Sequence, residues 1–189
     1  RHLNAAMSWL ATLNSKPGLA EAGLDGLIEA FKSKRQPPTI PLEPIFAKLT
    51  ENPKLADKAR RLATLLGDTS ATRSLIARMN DTTAGVAERL KGIQAAPEAK
   101  DDVAKAELLK LLKYEKSNQT LLAEAGRSLA VFGGDEIGYA MTDVWKNFSV
   151  ATRRAAADVL VTRSKWSRAL MAAIEQKIAD PQDVSATAR

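Results

Sequence analysis

The sequence predicts an all-α protein built from helix pairs that stack on one another. Three observations carry this. Apolar residues recur with helical spacing through nearly the whole chain, while β-branched residues are scattered and never alternate over a useful length. Aromatic residues are only 5% of the chain, so Ala and Leu carry the apolar content, as in slim helices packed closely. One helical pattern also returns: ADKARRLATLLGD at 56–68 comes back as AEAGRSLAVFGGD at 123–135, with Ala, an acid, Arg, Leu-Ala and Gly-Asp in register.

The elements follow in order. We place helices at 2–14, 18–34, 41–51, 53–66, 69–80, 83–95, 101–114, 117–132, 135–147, 149–163 and 165–178, about 11 in antiparallel pairs. Asn52-Pro53 reads as a cap followed by a first-turn proline. Asp68, Thr82, Ser117, Ser149 and Ser164 stand where N-caps are needed. Gly67 and Gly133-Gly134 stand where helices must stop. The stretch Arg35-Gln-Pro-Pro-Thr-Ile-Pro41 carries three prolines and cannot be helical. It is a candidate break, within one domain spanning 1–189, between an N-terminal helical pair and the main array.

The recurrence at 56 and 123 corresponds to two units of about 33 residues, a period of paired-helix repeats. GVAERLKGI (85–93) lies between its two copies and TRRAAADVL (152–160) follows them. Each such helix has small residues on one side and Leu, Ile or Val on the other. Each follows a helix with a Leu/Ile/Met stripe: LIARM, ELLKLL and YAMTDVW. A pair of this kind buries its face only by stacking on neighbours, which is the layout of a HEAT-like, armadillo-type α-α superhelix, or solenoid. The uneven spacing makes it a degenerate array, with a compact helical bundle as the alternative. A terminal pair without a polar cap leaves apolar surface bare.

Composition bounds the chemistry. With 45% hydrophobic and 26% charged residues the chain is of ordinary globular make-up. It has no cysteine, which excludes disulfides, thiolate metal sites, a Cys nucleophile and haem attached through this segment. No apolar run approaches the ~20 residues of a membrane span. The opening Arg-His-Leu-Asn-Ala-Ala-Met lacks both a signal-peptide pattern and an initiator Met. At the other end Asp180, Pro181 and Asp183 announce a further helix six residues before the chain stops. We therefore expect a fragment of a longer chain.

No residue constellation points to catalysis, a metal or a cofactor in this segment. His2 is the only histidine and has no partners in sequence. Asp101-Asp102 and Asp135-Glu136 fall at helix N-termini, where carboxylates complement the helix dipole. Gly133-Gly134 has no strand before it and no phosphate-loop Lys after it. Trp9, Trp145 and Trp166 sit on helices and read as packing residues, with peptide or nucleobase contact as the alternative.

The arginines carry the sharpest expectation. Arg60, Arg61, Arg127, Arg153 and Arg154 fall on the second helix of successive repeats and form a candidate interaction surface. A row of them suits an acidic partner, including a DNA backbone, and the net charge of +6 is compatible. The competing and favoured expectation is that each Arg bridges to an acid of the adjacent repeat, since Asp57, Asp68, Glu124, Asp135 and Asp158 stand nearby.

One family resemblance sharpens this. FSVATRRAAADVLVTRSKWSRALMAAIEQKIADPQDVSATAR resembles the end of the HEAT-type region in large secreted bacterial proteins of the PVC-type (planctomycete/verrucomicrobial) haem-binding, dehydrogenase-like family. The matching positions are Arg154, Leu160, Arg163, Trp166, Leu170, Ala173, Ile174, Glu175, Ile178, Asp183, Val184 and Ser185. GLDGLIEAFKSKRQPP and LATLLGD are similar to further parts of that pattern. Ser164-Lys165 departs from it, since the family favours a Pro there. The resemblance implies a non-catalytic spacer between a propeller dehydrogenase-like domain and a cytochrome c domain of a periplasmic or secreted redox protein. Its partners would be flanking domains of the same chain or another protein. The alternative function is a basic HEAT-like nucleic-acid-binding domain. An independent helical enzyme lacks any polar constellation in its favour.

Because an uncapped terminal helix pair exposes apolar surface, we expect the isolated chain to self-associate weakly. Sedimentation velocity showing a clean monomer at high concentration would count against this.

Overall fold

The structure, a computed structural model, describes residues 2–13, 15–32 and 39–185. These residues hold eleven α-helices, two short 3₁₀ turns and no strand. The chain divides into two compact units, 1–75 and 76–189.

The first unit contains α1 (His2–Ala11), α2 (Pro17–Phe31), α3 (Glu43–Thr50) and α4 (Pro53–Leu65), and α5 (Thr69–Asn80) crosses the division. The expected break at 35–41 falls largely on 33–38, outside the described residues. The helices before and after it pack together: α1 on α3, and α2 on α4. Their core is aliphatic and is built from Met7, Leu10, Leu24, Ile28, Leu49, Leu55 and Leu62, with Phe46 at its edge. Each such side chain contributes about 1.5–3 kcal/mol when withdrawn from water. Ala20, Ala59 and Ala63 line the same core and let the helix backbones approach closely. On the surface Lys58 of α4 bonds to Glu21 (2.8 Å) and Asp25 (2.7 Å) of α2. The bond to Asp25, then that to Glu21, holds the Lys58 ammonium above its ordinary pKa.

The second unit contains α6 (Val86–Ala99), α7 (Asp102–Tyr114), α8 (Gln119–Phe132), α9 (Glu136–Asp143), α10 (Val150–Leu160) and α11 (Ser164–Glu175). The 3₁₀ turns are Trp145–Asn147 and Pro181–Asp183. Here α6 packs on α8 and α8 on α10, while α7 packs on α9 and α9 on α11. Glycines set two of the closest approaches. A Cβ on Gly138 of α9 would lie 3.0 Å from the Trp166 Cα of α11, and one on Gly126 of α8 would meet Met141 of α9 at 2.8 Å. Trp145 and Trp166 are fully buried.

The punctuation of the sequence is reproduced in part. Asn52 accepts the Lys54 N–H (3.1 Å), Asp68 that of Ser70 (2.8 Å) and Ser149 that of Thr152 (3.2 Å), each as a side-chain cap. Gly67 and Asp68 close α4 by donating to Thr64 (3.0 Å) and Ala63 (2.9 Å). Three expected caps are corrected. Thr82 does not cap α6: Asp81 accepts from Thr83 and Ala84 in an Asx turn, and Gly85 occupies the N-cap. Asn118, not Ser117, caps α8, accepting from Thr120 and Leu121 at 3.1 Å each. Arg163 stands at the α11 N-cap, leaving Ser164 inside the first turn.

Helix boundaries shift for local reasons. Helix α6 runs to Ala99 through Pro97, two residues beyond the proline and four beyond the expected end at 95. Pro97 has no N–H to give the Ile93 carbonyl. The Ser128 hydroxyl of α8 donates to that carbonyl instead, 3.0 Å away in the buried interior. The expected helix 135–147 ends at Asp143, where the Thr142 hydroxyl bonds back to Gly138 (3.2 Å) and Tyr139 (3.0 Å) and the chain tightens to 3₁₀. Helix α11 stops at Glu175 because Lys177 turns left-handed, at φ 59°. Asp180 caps the last 3₁₀ turn through the Gln182 N–H (2.8 Å), with Pro181 at its first position.

Gly138→Ala is expected to destabilise the protein by about 1–3 kcal/mol, because the new methyl meets the Trp166 backbone. Gly26→Ala, in the open face of α2, is expected to stabilise by about 0.5–1 kcal/mol. Urea unfolding midpoints of both variants against the parent check the pair.

Candidate functional site

Two of the arginines singled out from the sequence, Arg60 and Arg127, pair within their own helices rather than between repeats. Arg60 pairs with Asp57 of its own helix (2.9 Å). Arg127 pairs with Glu124 of its own helix through Nε (3.1 Å) and Nη2 (2.9 Å). Residues three apart on a helix are neighbours, and the near acid takes the guanidinium before a distant one can. Arg61 and Arg154 are exposed on α4 and α10. Arg153 donates from Nε to the Phe148 carbonyl (3.1 Å), and its Nη1 lies 3.9 Å from Asp183 Oδ2. The buried spacing also bears on a row. Ala125, Gly126 and Leu129 of α8 match Ala156, Ala157 and Leu160 of α10, so Arg127 is in register with Asp158. Arg154 lies one turn further toward the N-terminus of α10.

Ion pairs between helices exist, but they use other residues. Arg89 of α6 and Glu115 after α7 meet at 3.2 Å with each side chain only 12% exposed. Arg89 Nε also donates to the Met79 carbonyl (3.1 Å). The other Glu115 oxygen accepts from the Ser117 N–H (3.1 Å), the Ser117 hydroxyl (2.8 Å) and the Asn118 N–H (3.2 Å). Burial alone pushes the Glu115 carboxyl up. The bonds from Ser117, Asn118 and Arg89 outweigh it and hold the group below its ordinary pKa of 4.5. Lys105 of α7 pairs with Glu136 of α9, and the bond from Lys105 holds the Glu136 carboxyl low.

The remaining marked residues are placed as follows. His2 is exposed at the start of α1. Asp101 caps α7 by accepting the Val103 N–H (2.8 Å), and Asp102 begins the helix. Asp135 pairs with Lys165. The Trp166 Nε1 donates to the Gly134 carbonyl (2.7 Å), and Arg163 lies 4.5 Å over the Trp166 ring while donating to the Ala130 carbonyl (3.2 Å). Gly133 (φ 73°) and Gly134 (φ 109°) supply the left-handed backbone of this corner. A Cβ on Gly133 would lie 2.7 Å from the Arg163 guanidinium. Of the tryptophans only Trp9 reaches solvent, at 47% exposure.

Two shallow cavities each include one of the marked arginines. One of about 210 Å³ lies in the first unit, lined by Arg60 with Glu43, Asp68 and the side chains of Phe46, Ser70 and Ser74. The other, of about 360 Å³, lies beside the last 3₁₀ turn and is lined by Arg153, Lys177 and Asp180 with Ile174, Ile178 and Pro181. Nothing in the sequence pattern marked Lys177. It follows the end of α11 at the position where glycine is the usual signal, so the stop was invisible there. Among the described residues no group of three or more His, Asp or Glu is placed to hold a metal ion. No helix among them is long and apolar enough to cross a membrane. No family model matches the chain, and no curated protein matches it.

Stability is expected to fall as pH drops below about 4.5. The folded Glu115 has a depressed pKa, so its contribution is full above the ordinary value and is lost as pH falls through the folded one. Glu115→Gln is expected to unfold more readily at pH 7 and to show a shallower acid limb, by up to about 1.4 kcal/mol per pH unit. Urea titrations between pH 3 and 7 check both.

Proposed function

We propose that this chain is a HEAT-like helical-repeat domain that serves as a spacer or docking scaffold, with no catalytic site of its own. The observation that carries the reading is the alternate packing within the units: α1 on α3 and α2 on α4 in one, α6 on α8 on α10 and α7 on α9 on α11 in the other. Within each unit these helices bed on the next but one, as stacked helix pairs do. The charge pattern supports a scaffold over a nucleic-acid binder. Arg60, Arg127 and Arg153 are engaged on local acceptors, and an arginine so held is a poorer phosphate ligand.

The family resemblance at 148–185 supplies the setting: the helical middle of a secreted or periplasmic redox protein, between a propeller dehydrogenase-like domain and a cytochrome c domain. In that setting Arg163 and Trp166, two of the resembling positions, act in packing. They fix the α8–α9 corner against α11.

Extract of the source cells, run on a denaturing gel, probed with antibody to this chain and stained for covalent haem, tests the setting. The expected result is a band far larger than 20.4 kDa that also stains for haem. A haem-free band near that mass would overturn the multidomain redox reading.

A further inference from the structure

We propose that the segment 176–185 is a releasable strap over α10, latched by Asp183 on Arg153. Its place follows from the repeat. The caps Asn118, Ser149 and Asp180 follow one another at steps of 31 residues and open α8, α10 and the last 3₁₀ turn. Three positions after each cap stands a buried residue: Leu121, Thr152 and Asp183. Helix α10 packs on α8, and the 3₁₀ turn packs on α10. The strap therefore holds the seat that a further stacked helix would take. It leaves α11 at Lys177, whose left-handed backbone (φ 59°) ends that helix, so the strap can swing there without breaking a helix. Beyond that turn the Ile178 and Ala179 amides both donate to the Ala173 carbonyl, at 2.8 and 3.2 Å.

The latch is what makes the seat releasable. At the equivalent position α8 has a leucine, and α10 has a threonine whose hydroxyl lies 3.0 Å from that of Ser149. The strap has a carboxylate there, only 6% exposed. Asp183 Oδ2 has no hydrogen-bond partner among the described residues and faces Arg153 Nη1 at 3.9 Å, too far for a hydrogen bond. Arg153 is itself held in place, since its Nε donates to the Phe148 carbonyl at 3.1 Å. The attraction of Arg153 keeps the strap shut, while burial of an oxygen without a donor works against closure. Opening returns the Asp183 carboxylate to water. A segment whose buried side chains are Ala179, Asp183 and Val184, one of them under-satisfied, belongs to the low-stability end of a fold and opens ahead of the rest.

The test is native-state hydrogen exchange of the ¹⁵N-labelled chain, followed by NMR. The amides of Ile178, Ala179, Asp183 and Val184 are expected to share one opening step, with an open form at least about tenfold more populated than that seen by the α8 amides. Arg153→Gln is expected to raise the open population about tenfold, because it leaves the buried carboxylate uncompensated. Asp183→Thr, which places the α10 residue in the strap and removes the buried charge, is expected to lower it about tenfold. The α8 amides are expected to keep their rates in both variants. Because the two variants move the opening in opposite directions, the result cannot be a general loss of folding. Four unrelated rates, an opening unchanged in either variant, a more populated one in Asp183→Thr, or a change shared with α8 would overturn the latch. The strap is argued from packing within the second unit and not from the spacer role, so the haem-stained gel tests the latter separately.

Discussion

The hydrogen bond from Ser128 to the Ile93 carbonyl is the contact on which the second unit most depends. Pro97 leaves that carbonyl without its helical donor in a place water does not reach. An unsatisfied buried carbonyl costs about 1–3 kcal/mol. The bond removes that cost and at the same time fixes the register of α8 on α6. From α8 the packing passes to α10 on one side and to α9 on the other. The proline thus creates a demand that only a neighbouring helix can meet, and local and tertiary structure are tied at one atom.

The connections between helices follow the same logic. Glu115 closes the turn after α7 by accepting from three donors on Ser117 and Asn118, and it reaches across to Arg89 of α6. The Gly133-Gly134 corner is held from α11 by the Trp166 indole and the Arg163 guanidinium. In the first place a side chain from a separate helix holds the carboxylate that closes the turn, and in the second two side chains from a separate helix bond loop or helix-end carbonyls directly. Buried pairs of this kind add little net energy but penalise the wrong arrangement heavily, since breaking one leaves a charge or a carbonyl unpaired. They specify how neighbouring helices sit, while the aliphatic contacts supply most of the stabilisation.

The same economy separates structural from available charge. Most cations near acids are already spent: Arg60 on Asp57, Arg127 on Glu124, Lys105 on Glu136, Lys58 on Glu21 and Asp25. At the end of the second unit Lys177 stands in a left-handed turn, and Arg153 lies between the Phe148 carbonyl and Asp183.

The sequence by itself determined the all-helical class, the existence of all eleven helices and the caps at Asn52, Asp68, Ser149 and Asp180. These rest on periodicity and on side chains bonding to backbone within a few residues, which is information local to the chain. It did not determine that α6 passes through Pro97, since the compensating Ser128 lies 31 residues further on. Nor did it place the α8 cap at Asn118 rather than Ser117, because Glu115 binds Ser117 first. The partners of Arg60 and Arg127 were misjudged for a related reason: sequence shows which acids are near, while helix geometry selects among them. The groove at Arg153 and Lys177 was out of reach altogether. It joins residues of α10 to a turn after α11 whose left-handed bend carries no glycine, and only the packed structure brings those groups together.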